Sequence, residues 1–286
     1  MILSVSRRTD IPAFYSTWFF NRIEEGYVSL RNPFNFNQVK TIYLKPDLVD
    51  CIVFWTKNPE KMLSRLDELK HFNYYFQFTL NSYDKTMEPF VPRKKHLINT
   101  FINLSNIIGK NRIVWRYDPI ILTDKFTIDY HFKWFDYLAS KLSRYTKRCV
   151  ISFLDVYDKT KRNLANIKLD NFTQQKIEII ADGFSKIASK YDLMIETCSE
   201  DVDLSKYGIN HGRCIDNRII YEITGEKFPD IKDKNQRKEC GCIISVDIGA
   251  YNTCLHGCLY CYANFSRKKV EENVNMHSDY SPFLIK

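Results

Sequence analysis

Ile113-Val114-Trp115-Arg116-Tyr117-Asp118-Pro119 reads as a short strand that stops in polar residues and a proline. An apolar run of this length, bounded by turn residues, suits a strand covered on both faces. Helical patterns flank it. Upstream, His96 to Ile108 places Leu97, Phe101, Leu104 and Ile108 on one face. Downstream, Ile128 to Tyr145 keeps Ile128, Phe132, Phe135, Leu138 and Leu142 in register. Further strands are read at Ile2–Ser6, Cys51–Trp55, Tyr74–Leu80, Cys149–Leu154 and Leu193–Thr197. Helices are read at Ala13–Tyr27, at Thr173–Tyr191, and after Asn58, which serves as N-cap with Pro59 at the first helical position. Val28 to Lys45 alternates and contains Pro33, so a hairpin-like insertion is expected there.

Six strands alternating with helices call for a parallel sheet with crossover helices. Arg7, Arg8, Asp10, Lys57, Asn81, Arg116, Asp118, Asp155 and Glu196 all fall at or just after strand C-termini. That is the end where a (β/α) barrel builds its site. A doubly wound sheet would use the same end, but no G-x-G-x-x-G loop follows any strand. The expected fold is therefore α/β, a partial or closed TIM-like barrel over residues 1–197. Arg7, Arg8, Asp10, Lys57, Arg116, Asp118 and Glu196 are its candidate catalytic residues. The cations among them would meet carboxylates or phosphates through charge-assisted hydrogen bonds, or be tied to Asp10 and Asp118 in a structural network.

A second feature lies near the C-terminus, in Cys254-Leu255-His256-Gly257-Cys258-Leu259-Tyr260-Cys261. Three cysteines at C-x3-C-x2-C spacing let one short loop wrap the corner of a compact cluster, with Gly257 free to turn. Structural zinc sites usually combine two C-x2-C-type pairs into four ligands. A 4Fe–4S cube held by three thiolates instead keeps one iron open. Cys198, Cys214, Cys240 and Cys242 match the ligand count of a second, fully ligated 4Fe–4S cluster or of a structural zinc site. Cys51 and Cys149 begin strands and read as buried apolar residues. Residues 198–286 are expected to form a cysteine-rich iron–sulfur segment on the barrel mouth. If Ile243–Asp247 were a seventh strand, Cys240 and Cys242 would lie at the far end. If the segment drapes across the mouth, all seven cysteines gather, and that arrangement is expected.

The C-x3-C-x2-C loop, with an aromatic residue just before its last cysteine, resembles the radical S-adenosylmethionine (SAM) superfamily. Its extension Tyr260-Cys261-Tyr262-Ala263 is similar to the spore photoproduct lyase and "DNA repair photolyase" branch. From Ser6-Arg7-Arg8-Thr9-Asp10-Ile11-Pro12 to Tyr262-Ala263-Asn264 the chain also resembles a bacterial family known only as a domain of unknown function. The first resemblance implies that Cys254, Cys258 and Cys261 hold a 4Fe–4S cluster whose open iron SAM chelates. It implies reductive SAM cleavage, Tyr260 packed on the SAM adenine, and an electron donor such as flavodoxin or ferredoxin. His256 is implied to be a surface or supporting residue, because the family uses only thiolates there. Superfamily members mostly place this loop after their first strand, so its C-terminal position implies a circularly permuted barrel.

Composition bounds these readings. A chain of 286 residues with 44% hydrophobic and 15% aromatic residues can bury a large core and is not disordered. Nine cysteines, no visible signal peptide and no apolar run of membrane-spanning length point to a soluble cytoplasmic protein. The net charge of +8 admits a nucleic-acid substrate. The lysines are scattered along expected helices, however, so solvated faces are the favoured reading. Two other functions stay open: a non-catalytic iron–sulfur or zinc-binding barrel protein, and a metal-free hydrolase using carboxylates such as Asp118 and Glu196.

Overall fold

The computed structural model describes residues 1–32, 35–156 and 158–285; Pro33 and Tyr157 lie outside them. The strands are β1 (Ile2–Val5), β2 (Tyr27–Asn32), β3 (Asn35–Tyr43), β4 (Cys51–Thr56), β5 (Tyr74–Thr79), β6 (Ile113–Ile120), β7 (Arg148–Phe153), β8 (Met194–Cys198), β9 (Asn210–Gly212) and β10 (Val246–Asp247). The helices are α1 (Ile11–Phe14), α2 (Ser16–Glu25), α3 (Lys94–Ile108), α4 (Ile128–Leu142), α5 (Asp158–Asn163), α6 (Gln174–Ser189), α7 (Asn217–Thr224) and α8 (Arg267–Asn275). Eight strands form one sheet in the order β10-β1-β4-β5-β6-β7-β8-β9, and every pairing in it is parallel. The antiparallel pair β2–β3 is the expected hairpin insertion.

From β1 to β9 the order advances in one direction, without the reversal of a doubly wound sheet. The chain then returns so that β10 pairs with β1. Among the described residues no pairing joins β9 to β10, the two edges of the sheet, so the parallel α/β arrangement is seen and closure into a barrel is not.

Period-two alternation sends neighbouring residues to opposite faces. On one face Leu3, Val5, Ile52, Phe54, Phe76, Phe78, Trp115, Tyr117 and Ile151 pack with Trp18 and Phe19 of α2, Phe101 of α3, Phe135 of α4 and Phe184 of α6. On the other, Ile2, Cys51, Val53, Tyr75, Val114 and Val150 meet Ile219 and Ile220 of α7, together with Cys214, Cys240, Cys242 and Ile243. The cysteine-rich C-terminal part thus supplies a covering layer as well as two edge strands. Cys51 and Cys149 are fully buried in the strands, as expected.

Three local expectations change. The helix read over Ala13–Tyr27 breaks at Tyr15 into α1 and α2. Asp10 caps α1, and the buried Tyr15 donates its hydroxyl to the Thr253 carbonyl at 2.6 Å, a tertiary demand that outweighs helical periodicity. Asn58 caps nothing. Its amide donates to Thr56 Oγ1 at 3.0 Å, and a 3-10 helix, Glu60–Leu69, follows Pro59. Of Ile243–Asp247 only Val246–Asp247 is a strand, because Ile243 instead donates its amide to the Ile215 carbonyl.

The β1–β10 seam is closed by Asp247. Its carboxylate accepts from Ser4 Oγ (2.9 Å), Ser6 Oγ (2.6 Å), the Arg7 amide (2.9 Å) and the Gly249 amide (3.0 Å). A Cβ on Gly249 would lie 2.0 Å from Ser6 Oγ and 2.6 Å from Ser6 Cβ. Gly249→Ala is therefore expected to destabilise the fold by about 1–3 kcal/mol, as overpacking does. Urea unfolding checks this as a lower midpoint at an unchanged slope.

Candidate functional site

A cavity of about 430 Å³ opens at the C-terminal ends of the strands. Its walls include Arg7, Arg8 and Asp10 after β1, Trp55 and Lys57 at the end of β4, Arg116 and Asp118 of β6, Ser152 of β7 and Cys198 of β8. Cys214, Cys240, Cys242, Cys254, Cys258 and Cys261 complete the cysteine lining. All seven candidate cysteines thus face one space, and the segment carrying Cys240 and Cys242 reaches it by lying across the sheet.

All seven are free. Cys198 Sγ and Cys214 Sγ lie 3.1 Å apart, and Cys242 Sγ accepts from the Ile215 amide at 3.4 Å. Within the first pair one proton serves both sulfurs, so the Cys198 thiol is lowered and the Cys214 thiol raised. Burial pushes the Cys258 thiol up to about 12, against the pull of the Lys57 ammonium, and burial also raises Cys261. Sulfurs in this state become ligands once a bound cation supplies the compensating charge. Among the described residues, no group of three or more His, Cys, Asp or Glu side chains is arranged to hold a single metal ion. A cluster makes a different demand, since its thiolates attach to separate corners.

The cysteine loop is held by hydrogen bonds to distant parts of the chain. Phe90 donates its amide to the His256 carbonyl and Leu259 donates to that of Met87, at 3.2 and 3.0 Å. Gly257 turns at φ +66°, where a side chain would also meet the Phe90 ring. Asp10 is the main anchor. One carboxylate oxygen accepts from the Ala13 amide at 3.0 Å; the other accepts from the Lys57 amide at 2.7 Å and His256 Nε2 at 2.8 Å. His256 is only 3% exposed, and its buried Nδ1 has no partner among the described residues. The expected surface or supporting histidine is thus a buried one. Asp10, expected as catalytic, has its carboxylate committed to positioning.

Tyr260 is fixed through its hydroxyl, which accepts from Lys57 Nζ at 3.0 Å and Asn81 Nδ2 at 3.1 Å and donates to Glu88. Glu88 is the residue the sequence reading missed. It is 1% exposed and ion-paired to Lys57 at 2.8 Å and Lys94 at 2.6 Å. Burial pushes its carboxyl up, but the two ammoniums outweigh burial and hold it at about 2. It lies in Met87-Glu88-Pro89-Phe90, beyond any strand end; a lone carboxylate in an apolar stretch was the available hint.

Arg116 donates to Cys214 Sγ and pairs with Asp118, whose other oxygen accepts from Ser152 Oγ. Burial alone would raise the Asp118 carboxyl; the Arg116 guanidinium overcomes it and keeps the group low. Glu196 corrects the expectation. It is buried, bound to Arg218 at 2.9 Å, and absent from the cavity lining, because it sits one inward position before Cys198 on β8. Asp118 and Glu196 therefore do not face a common space, and the carboxylate pair suggested for a hydrolase is not assembled.

The fold and site define a parallel α/β protein with a cysteine-lined cavity at its strand C-termini. The chain belongs to the family described as "Domain of unknown function (DUF1848)", whose model matches residues 2–263. That span runs from β1 to two residues past Cys261. No curated protein matches it. A solved "putative alpha-L-fucosidase" from Bacteroides thetaiotaomicron VPI-5482 is similar at 12% identity and a TM-score of 0.27, covering 80% of this chain and 84% of that one. At that likeness it carries no argument. No helix among the described residues is long and apolar enough to cross a membrane.

The lowered Glu88 carboxyl contributes stability that is fully present above its ordinary value of 4.5 and lost as pH falls toward about 2. Glu88→Gln leaves two ammoniums without their carboxylate. It is expected to cost about 3–5 kcal/mol at neutral pH and to flatten the acid loss in that window, as thermal unfolding at stepped pH will read.

Proposed function

We propose that this protein is a radical SAM-type enzyme on a circularly permuted, TIM-like scaffold. In this reading Cys254, Cys258 and Cys261 hold a 4Fe–4S cluster, and SAM takes the open position. The observation that carries it is the gathering of seven cysteines on one cavity, with the two strand cysteines excluded. The donor set fits, since soft sulfur ligands with no disulfide among them suit iron–sulfur or zinc chemistry. When bound, a reduced cluster would supply one electron to the SAM sulfonium, breaking a carbon–sulfur bond to give methionine and a carbon radical able to abstract hydrogen.

The chain's own residues prepare the space. Asp10, through His256 and the Lys57 amide, sets the cysteine loop against the end of β4. Lys57, Asn81 and Glu88 lock Tyr260 by its hydroxyl, which leaves its ring as a fixed wall and makes rotation to follow a ligand costly. Arg116 brings positive charge to Cys214 by donating to its sulfur, a pull toward the thiolate that the Cys198 and Cys242 contacts and burial outweigh. Cys198, Cys214, Cys240 and Cys242 are proposed as ligands of a second 4Fe–4S cluster. A flavodoxin or ferredoxin as electron donor, and a cytoplasmic setting, belong to the same proposal. A zinc site in a binding protein is the second reading, favoured by the close Cys198–Cys214 approach of 3.1 Å.

Iron, sulfide and zinc per chain, measured after anaerobic purification, test this directly. About eight irons in the wild type, falling to about four in Cys254/Cys258/Cys261→Ala, are expected from the ligand counts. Reduced wild-type protein should then convert SAM to 5′-deoxyadenosine and Cys258→Ala should not. Zinc without iron would support the second reading.

A further inference from the structure

The cations of the cavity differ in what neutralises them. Arg116 is matched to Asp118, Lys57 to Glu88 and Arg237 to Asp155. Arg7 and Arg8 form no ion pair with a carboxylate side chain among the described residues. The Arg7 guanidinium lies over the Trp55 ring at 5.6 Å and donates from Nη2 to Ser245 Oγ at 2.9 Å. That of Arg8 lies over the Tyr251 ring at 5.2 Å, with the Gly249 carbonyl at 3.5 Å from Nη1. Aromatic faces orient a guanidinium without cancelling its charge. The Asp247 carboxylate and the Cys242 sulfur act electrostatically on Arg7 without an ion-pair contact, and the Asp247 oxygens accept from two hydroxyls and two amides, so the less compensated of the two cations is Arg8.

We propose that Arg7 and Arg8 form a phosphate-recognition subsite in this cavity, so that the molecule it takes carries a phosphoryl group. Arg7 and Arg8 both line the cavity, and two consecutive guanidiniums offer forked donors, which match a phosphate dianion better than a single carboxylate. The cavity measures about 430 Å³ with its cysteines bare, a size in the range of small-molecule sites, and it is shared with whatever those cysteines hold. The subsite names the substrate class for the cavity of the proposed enzyme. It rests on the arginines and their rings and needs no metal.

The test is calorimetric titration of the anaerobically purified full chain with inorganic phosphate, adenosine 5′-monophosphate and a short single-stranded oligodeoxynucleotide. The wild type is expected to bind at least one of them, and Arg7→Gln and Arg8→Gln are each expected to weaken that binding about tenfold or more. Arg8→Gln guards against misfolding, since among the described residues its guanidinium meets the Tyr251 ring and one backbone carbonyl and forms no ion pair. Exposed Arg144→Gln is the control and should bind as the wild type does. Arg7→Lys/Arg8→Lys should recover part of the affinity, as charge without the fork would. Tightest binding of the monophosphate marks a small-molecule ligand; tightest binding of the oligonucleotide, falling steeply with salt, marks nucleic acid. Either keeps the subsite. No binding of any probe, or equal binding by both glutamine variants and the wild type, overturns it. Iron measured on the same samples separates the readings: wild type without iron that still binds phosphate counts against the radical enzyme and leaves the subsite standing.

Discussion

The carboxylate of Asp10 is the constraint on which the site depends. It is 5% exposed, and its two oxygens accept from the first turn of α1, from the backbone after β4 and from the cysteine-loop imidazole. A buried carboxylate is costly unless such donors surround it. These three partners come from separate parts of the chain, so satisfying one side chain fixes the mutual placement of two strand ends and the cysteine loop. Asp247 plays a similar part at the β1–β10 seam, where four donors converge on it. The cavity is thus framed by two carboxylates engaged in building it, and its lining combines seven cysteines with arginines, Lys57, hydroxyls and the carboxylates of Asp118 and Asp155.

Much of this was legible in the sequence because it follows from strand geometry. Residues at strand C-termini must emerge at one end of a parallel sheet, so Arg7, Arg8, Lys57, Arg116 and Asp118 fell on the cavity wall as read. Alternation explains the exception. Glu196 also faces inward from β8, but one inward position earlier, at a depth where Arg218 of α7 covers it. Distance from the strand end, rather than polarity alone, decides what reaches the cavity. The gathering of seven cysteines was readable only as one of two arrangements, since it turned on whether Ile243–Asp247 became a strand. Backbone hydrogen bonds to Ile215 and Ile231 hold that stretch instead.

What stayed hidden depends on contacts between remote segments. Nothing local marks Glu88 as the partner of Lys57, Lys94 and Tyr260, because those residues meet only after β4, α3 and the cysteine loop are packed. Nor does helical periodicity show that Tyr15 will leave its helix to reach Thr253. Both cases share one cause. Lys94 is six residues from Glu88, but Lys57 is 31 and Tyr260 172 away, and Thr253 is 238 from Tyr15, beyond what a sequence window can register.

The bond between His256 and Asp10 spans 246 positions. A ribosome adding about 5–20 residues per second takes roughly 10–50 s to cover that interval. For all of it Asp10 exists without the loop that completes its surroundings, and Cys198, Cys214, Cys240 and Cys242 are each added before Cys254. The four cysteines outside the loop therefore become available before the three inside it. Whatever the cavity finally holds, its two sulfur groups are born in sequence, and the loop's own trio is the last to be made.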